Sequence, residues 1–265
     1  MGYERQFNPA LNFQEREDFV VYMNQEQPLR PANIANIVAI NKGQKPLTME
    51  LPMATALEPS DAQSMLREGG LVIDTRSEAA FGAGHIPNAF NIQLSSSEFE
   101  QRVGWVIPLD SPIILVLEDP IALSATLHRL AFLGLDHRVK GYLRGGMAAW
   151  MSQGLPIRTL PQLSVQQLNH YLQSKSDMHV LDVREASEWN TGRIEQACHM
   201  NFKILAESIQ QLVFQPEQHI SVVCAGGIRS SIASSILLMH GFEHIYNITG
   251  GMMAWKAAAL PMTAS

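Results

Sequence analysis

The sequence predicts an α/β protein built from two successive copies of one domain, each a parallel sheet flanked by helices. Three observations predict it: an internal repeat, short apolar runs at matching places in both halves, and helix punctuation between those runs. Leu71-Val72-Ile73-Asp74-Thr75-Arg76 is answered by Val180-Leu181-Asp182-Val183-Arg184, and Gly145-Gly146-Met147-Ala148-Ala149-Trp150 by Gly250-Gly251-Met252-Met253-Ala254-Trp255. The aspartates stand 108 positions apart and the tryptophans 105. Both copies also close alike, on Leu155-Pro156-Ile157 and Leu260-Pro261-Met262. The repeat therefore divides the chain into a non-repeating extension (1–50), a first copy (51–160) and a second copy (161–265).

Taken in order, Gln14–Met23 reads as a helix, and Pro28-Leu29-Arg30-Pro31 breaks the pattern after it. Ser60 with Gln63, and Ser164 with Gln167, fit capping boxes that open a helix in each copy. The runs Leu71–Ile73, Ile113–Leu117, Val180–Val183 and Ile220–Val223 are rich in β-branched residues and lack polar alternation. Such runs suit central strands buried on both faces. A helical stretch follows the second run of each copy and ends near Gly134 or Gly241, the latter placed as a C′ glycine. The order of strands is not fixed by these patterns.

Hydrophobic residues make up 46% of the 265 and charged residues 17%, a globular composition that can fill a sizeable core. The net charge of −6 and the absence of a basic run argue against a nucleic-acid surface. No stretch approaches the roughly 18 continuous apolar residues of a membrane span, and Met1 to Phe13 lacks a signal-peptide core. Cys198 and Cys224 are the only thiols, too few for a disulfide framework, so the expected compartment is reducing and cytoplasmic. No metal site or cofactor is expected. His240 and His244 have the four-residue spacing of zinc ligands on a helix, but Gly241 between them ends the helix, which makes them surface or capping residues. The thirteen methionines read as core filler.

The chemistry concentrates at Cys224. It follows a buried strand and precedes Ala225-Gly226-Gly227-Ile228-Arg229-Ser230, where a helix begins. Ligands of open α/β sheets sit at the carboxyl ends of strands. Amides of a glycine-containing turn form an anion-binding nest, and the following helix adds its positive end. Free cysteine titrates near pH ~8.5, and such surroundings favour the thiolate. Arg229, five positions on, supplies a cation to close the ring. A thiolate so held attacks the outer sulfur of a donor and becomes a persulfide. A lone cysteine at a strand end is ordinarily a small buried hydrophobe; here two glycines, an arginine and a helix start coincide with it. Cys198, in a stretch matching Ala89–Ile92 of the first copy, reads as buried and inert. Asp182 and Arg184 face one side of a strand end, as an ion pair that also orients the loop.

Cys224-Ala225-Gly226-Gly227-Ile228-Arg229-Ser230 resembles the active-site loop of the rhodanese family. Asp182-Val183-Arg184-Glu185 resembles the family's Asp-x-Arg strand end, Gly250-Gly251 with Trp255 its closing element, and Gly84-His85-Ile86-Pro87-Asn88-Ala89 its Gly-His-Ile-Pro-Gly-Ala turn. The second copy departs at Gly192-Arg193-Ile194-Glu195, in a turn that is mainly structural. The resemblance implies two rhodanese-like domains and sulfur carried as a persulfide on Cys224. It also implies that the amides from Ala225 to Arg229 surround that sulfur, with Cys224 and Arg229 catalytic and Ala225, Gly226, Gly227, Ile228 and Ser230 binding substrate. The partners implied are a small-molecule sulfur donor and a thiol acceptor. The loop ends in arginine, unlike the Gly-Val-Thr ending of mercaptopyruvate sulfurtransferases, which favours thiosulfate or a low-molecular-weight persulfide as donor.

Where the first copy should present its cysteine stands Val116-Leu117-Glu118-Asp119-Pro120. It has no thiol, its carboxylates repel an anionic donor, and proline removes an amide from the nest. A structural role is expected for that copy. In the extension, Tyr3-Glu4-Arg5, Asn8-Pro9-Ala10-Leu11 and Pro31-Ala32-Asn33 resemble the tail of metallo-β-lactamase-fold persulfide dioxygenases, some of which continue into rhodanese domains. On that resemblance the chain is the back portion of a fusion whose upstream domain binds the metal. Two rivals stand beside the sulfurtransferase reading. One is a non-enzymatic binding module. The other is a cysteine-loop phosphatase or arsenate reductase, whose loop holds one residue more between cysteine and arginine than the four found here.

Overall fold

The computed structural model describes residues 6–24, 29–31, 33–46, 48–108, 110–174 and 176–263. Tyr3-Glu4-Arg5, Pro28 and Ala32, quoted above, lie outside them. The chain divides into two compact units, Met1–Pro31 and Ala32–Ser265. In the smaller unit Asn8 caps a short turn at Pro9–Leu11, its side chain accepting from the Ala10 amide at 3.0 Å. Helix α1 (Arg16–Met23) follows, as the sequence predicts for Gln14–Met23, and the Phe13 ring packs against Tyr22.

The larger unit begins with α2 (Ile34–Asn41). Asn36 donates to the Leu133 carbonyl at 2.9 Å and Thr48 to Asp136 at 2.9 Å, so residues on both sides of the α2 terminus are tied to the first copy. That copy runs β1 (Thr55–Leu57), α3 (Pro59–Arg67), β2 (Leu71–Asp74), α4 (Glu78–Ala83), β3 (Ala89–Asn91), α5 (Phe99–Val106), β4 (Ile113–Val116), α6 (Leu123–Ala131), β5 (Val139–Leu143) and α7 (Gly146–Ser152). The second runs β6 (Gln162–Leu163), α8 (Val165–Gln173), β7 (Met178–Asp182), α9 (Ala186–Thr191), β8 (Ala197–His199), β9 (His219–Val223), α10 (Ile228–Met239), β10 (His244–Ile248) and α11 (Gly251–Ala257).

Each copy forms one five-stranded sheet, ordered β1-β5-β4-β2-β3 and β6-β10-β9-β7-β8. The two orders are the same once positions are matched, and every pairing is parallel. Asp74 lies level with Val116, and Asp182 with Val223, which fixes how the two copies align at their strand ends. The predicted central strands are all present, and β2 and β4 are buried along their whole length. Trp150 and Trp255, 2% and 1% exposed, each plug one copy. Their indole N–H groups donate to Pro156 and Pro261 carbonyls at 2.8 and 2.9 Å, which explains why both copies end on Leu-Pro.

The two predicted capping boxes fare differently. Ser164 and Gln167 exchange both hydrogen bonds, 3.2 and 2.8 Å, as expected. Ser60 does not cap. α3 opens two residues earlier, with Glu58 at the cap and Pro59 in its first turn, where a missing amide and a fixed φ suit the helix start. Gly241 follows the end of α10 as predicted. His240 caps that helix and His244 belongs to β10, stacked on His219 with ring centroids 4.5 Å apart, so the two do not share a helix face.

One apolar cluster runs through both copies, and a smaller one lies within the second, around Leu168, Ile248 and Trp255. The seam is α10. Its Ser231 hydroxyl donates to Asn91 of β3 at 2.6 Å, and Arg158 of the first copy donates to the Leu238 carbonyl at 2.9 Å. β3 is accordingly buried throughout, whereas its counterpart β8 is only half-buried. Cys198, on β8, is thus half-buried and not fully buried as its sequence predicts. Among the described residues no helix is long and apolar enough to cross a membrane.

Candidate active site

Cys224 is the first residue beyond β9, and α10 starts four residues later. Its sulfur is 1% exposed with the rest of the residue and forms part of the floor of a cleft of about 480 Å³. The Gly227 amide donates to the sulfur at 3.1 Å. Gly227 has φ +104°, a conformation that side-chain-bearing residues rarely adopt, and it is this residue that starts α10. Ser230 Oγ lies 3.4 Å from the sulfur and 2.9 Å from the Gly227 carbonyl, so its single hydrogen serves one or the other. Among the described residues Gly227 is the one loop amide hydrogen-bonded to the sulfur, a sparser ring than the expected Ala225–Arg229 set.

The loop is held from behind by α11. Met252 and Met253 amides donate to the Cys224 and Ala225 carbonyls at 2.8 and 2.9 Å. The approach is close: a Cβ on Gly251 would stand 2.2 Å from the Cys224 carbonyl oxygen. This is what the repeated Gly-Gly before each tryptophan does in the second copy.

Arg229 lies in the same cleft, but its guanidinium is engaged by Glu188 through two hydrogen bonds of 2.6 and 2.7 Å. It stands there as half of an ion pair and not as a free cation over the sulfur. Burial works against the Arg229 charge, yet the Glu188 hydrogen bonds and negative charge at Cys224, Glu188 and Glu185 raise its pKa above the ordinary value. In return, hydrogen bonds from Arg229 hold the Glu188 carboxyl below its usual range, against an opposing push from burial. Glu188 is set by α9, which Arg184 fastens in place. Arg184 pairs with Asp182 at 2.7 Å and donates to the Glu188 and Gly192 carbonyls at 3.2 and 2.8 Å. The Asp182–Arg184 pair therefore bears on the loop through Glu188 and Arg229.

Sequence reasoning missed most of the cleft wall. Lys203 pairs with Glu185 at 2.7 Å and lies 4.9 Å from the centroid of the Trp105 ring. Trp105 and Arg102 come from α5 of the first copy, and Arg102 pairs with Glu98 at 2.6 Å. Glu188 stands three residues beyond the Asp182–Glu185 segment, where it forms a capping box with Glu185, and that spacing was the one signal for it. Arg102, Trp105 and Lys203 carry no local signal, since only the packing of one copy on the other brings them together. Ion pairs thus balance the lining: Arg102 with Glu98, Lys203 with Glu185, Arg229 with Glu188.

A buried thiol at the carboxyl end of a central parallel strand, joined by a glycine turn to a helix start, defines a cysteine-loop α/β protein. This one contains the sheet twice and the cysteine loop once. A family model, the rhodanese-like domain, matches residues 58–153 and again 164–258, and the chain belongs to that family. A thiosulfate sulfurtransferase of Shewanella oneidensis (GlpE) is 35% identical over 96 residues, 36% of this chain and 92% of that protein. Its namesake in Vibrio cholerae is 30% identical over 94 residues, 36% of this chain and 87% of that one. Each such relative is about one copy long. A solution structure of a rhodanese-like domain from Anabaena, 31% identical, covers 40% of this chain and 80% of that domain with a TM-score of 0.38.

Proposed function

We propose that this protein is a sulfurtransferase that moves sulfane sulfur from thiosulfate or a low-molecular-weight persulfide to a thiol or cyanide-like acceptor, through a persulfide on Cys224. The observation that carries the reading is the Gly227 amide donating to the Cys224 sulfur at the floor of a cleft that also holds Arg229. Similarity to named sulfurtransferases supports the class of reaction.

In the first half-reaction the Cys224 thiolate attacks the outer sulfur of the donor. The donor's S–S bond breaks, and its electron pair leaves with sulfite from thiosulfate, or with the thiolate from a persulfide. In the second, an acceptor thiolate attacks the outer sulfur of the Cys224 persulfide, and Cys224 departs as thiolate. The Gly227 N–H, Ser230 and the start of α10 meet the negative charge that moves between these sulfurs. Arg229 orients the anionic donor, and the amides of Ala225, Gly226 and Ile228 complete the loop's contacts with it. The supply of a persulfide by an upstream metallo-β-lactamase-fold domain belongs to this reading on the strength of the short motifs in residues 1–50 alone.

Mass spectrometry after incubation with thiosulfate tests the proposal. The Cys224 peptide is expected to gain about 32 Da, one sulfur atom, and to lose it to a reductant. No gain from either thiosulfate or glutathione persulfide would favour a non-enzymatic binding module instead.

A further inference from the structure

The cleft above Cys224 is larger than a small dianion requires. Its volume of about 480 Å³ falls within the roughly 300–1,000 Å³ of sites that take organic molecules of drug size, so thiosulfate fills a minor part of it. Its three cations, Arg102, Lys203 and Arg229, are each matched by a carboxylate, so side-chain charge alone does not select a small dianion over an organic thiol.

One group in that lining is incompletely satisfied. Arg102 is 9% exposed, and its Nε and Nη1 are buried with no hydrogen-bond partner among the described residues. Glu98, its carboxylate partner among the described residues, is 54% exposed and engages Nη2 alone. Buried guanidinium donors without acceptors are costly, and a planar carboxylate with its two oxygens is the group that best satisfies them. Both nitrogens are closed to solvent, so a ligand reaches them as the side chain turns away from Glu98, a step eased by that carboxylate's own access to water. Glu98, the residue that caps α5, and Arg102 and Trp105 within it lie four and three residues apart, hence on one helix face. That face turns to the neighbouring copy's sulfur, and the half-buried Trp105 ring offers an apolar surface beside it.

We propose that Arg102, carried by the copy that has no thiol, is a specificity-determining residue of the Cys224 site. It receives a carboxylate of an organic thiol, whether that thiol arrives as persulfide donor or as sulfur acceptor, while Trp105 covers the thiol's carbon skeleton. The inference rests on Cys224 as the sulfur carrier.

The test compares reduced glutathione and 2-mercaptoethanol as acceptors from a Cys224 persulfide, and their persulfides as donors, in wild type, Arg102→Gln and Glu98→Gln. Wild type is expected to favour the carboxylate-bearing thiol in at least one of the two roles, and that role assigns the subsite to donor or acceptor. In Arg102→Gln the ratio of kcat/KM for glutathione over 2-mercaptoethanol falls about tenfold or more, the size of a lost charge-assisted pair. Glu98→Gln frees the guanidinium and moves the same ratio upward, a gain that a merely misfolded variant does not produce. Equal use of both thiols by wild type, or a ratio unmoved in both variants, overturns the inference. Failure of wild-type Cys224 to take up any sulfur sinks the underlying sulfurtransferase reading, a separate result seen directly in its mass.

Discussion

The two copies share a sheet order, a register at the carboxyl ends of the central strands and an Asp-x-Arg pair, and they differ where the loop leaves the fourth strand of each. With Val116 level with Asp74 and Val223 level with Asp182, Leu117 occupies the place of Cys224, Pro120 that of Gly227 and Ala122 that of Arg229. The same alignment puts Ala80 where the second copy has Glu188. Arginine and glutamate are therefore absent together, as expected of a partly buried pair in which either member alone would be left uncompensated. The first copy also fills its own anion nest: Asp119 accepts from the Ile121 amide at 2.9 Å, and Pro120 has no amide to give. Yet Arg76 still pairs with Asp74 at 2.6 Å and donates to the Gly84 carbonyl at 2.9 Å, as Arg184 does with Asp182 and Gly192. The fold and the site are thus separable, with the site a thin layer of residues on a scaffold that stands without it.

The sharpest way to break this contrast is Cys224→Ala, which is expected to lower sulfur transfer more than about a thousandfold. Transfer that survives would place chemistry elsewhere, with half-buried Cys198 the first suspect. Next comes a pair of matched substitutions. Gly251→Ala drives a Cβ to 2.2 Å from the Cys224 carbonyl oxygen, whereas a Cβ at Gly146 meets nothing nearer than the Leu117 carbonyl at 3.8 Å. Both sites have positive φ, worth about 1–2 kcal/mol for alanine. Gly251→Ala is expected to cost that and at least about tenfold in sulfur transfer as the loop shifts; Gly146→Ala should show the stability loss alone. Equal effects in urea melts and assays would mean the loops are not held differently.

A third difference concerns protons. His85 of the first copy is 1% exposed, stacked on Phe81 and hydrogen-bonded to the Phe81 carbonyl, and burial lowers its pKa to about 4. At the matching place the second copy carries Arg193 over the Trp189 ring. An unfolded chain takes up a proton at this histidine near pH 6.5 while the folded one resists until about 4. Stability from His85 is therefore complete above pH 6.5 and is lost as pH falls toward 4, by up to about 3 kcal/mol. Denaturation at stepped pH should show that slope flattened in His85→Gln; an unchanged slope would assign the acid sensitivity elsewhere. The smallest effect is expected from Glu188→Gln. With its carboxylate about a third exposed, stability should change by less than about 1 kcal/mol, while the KM for thiosulfate falls about two- to fivefold as Arg229 is released. A rise in KM would show instead that Glu188 aims the guanidinium at the donor.

Much of this architecture was legible in the chain because it is written locally. β-branched runs mark the central strands, and the duplicated Asp-x-Arg and Gly-Gly-x-x-x-Trp segments mark the repeat. The cysteine loop was legible for the same reason, being seven contiguous residues from Cys224 to Ser230. Ser60 misled because a proline before it starts the helix earlier, a choice the serine-glutamine spacing does not reveal. Arg229 was placed in the site, but its engagement by Glu188 depends on α9 being fastened by Arg184. Arg102 and Trp105 were beyond reach, since they stand more than a hundred positions from Cys224 and meet its cleft only across the seam.

That seam has a consequence for the separate halves. Nine of the twelve residues of α10 are buried, among them four serines, and Ser231 and Ser235 both bond to Asn91 of the other copy. Excising the thiol-free half would bare hydroxyls and hydrocarbon on the helix nearest the thiol, leaving a remnant prone to clump. A change at Asn91 or Arg158 is thus felt on the helix that follows Cys224, whether or not the copy that carries them has any chemistry of its own.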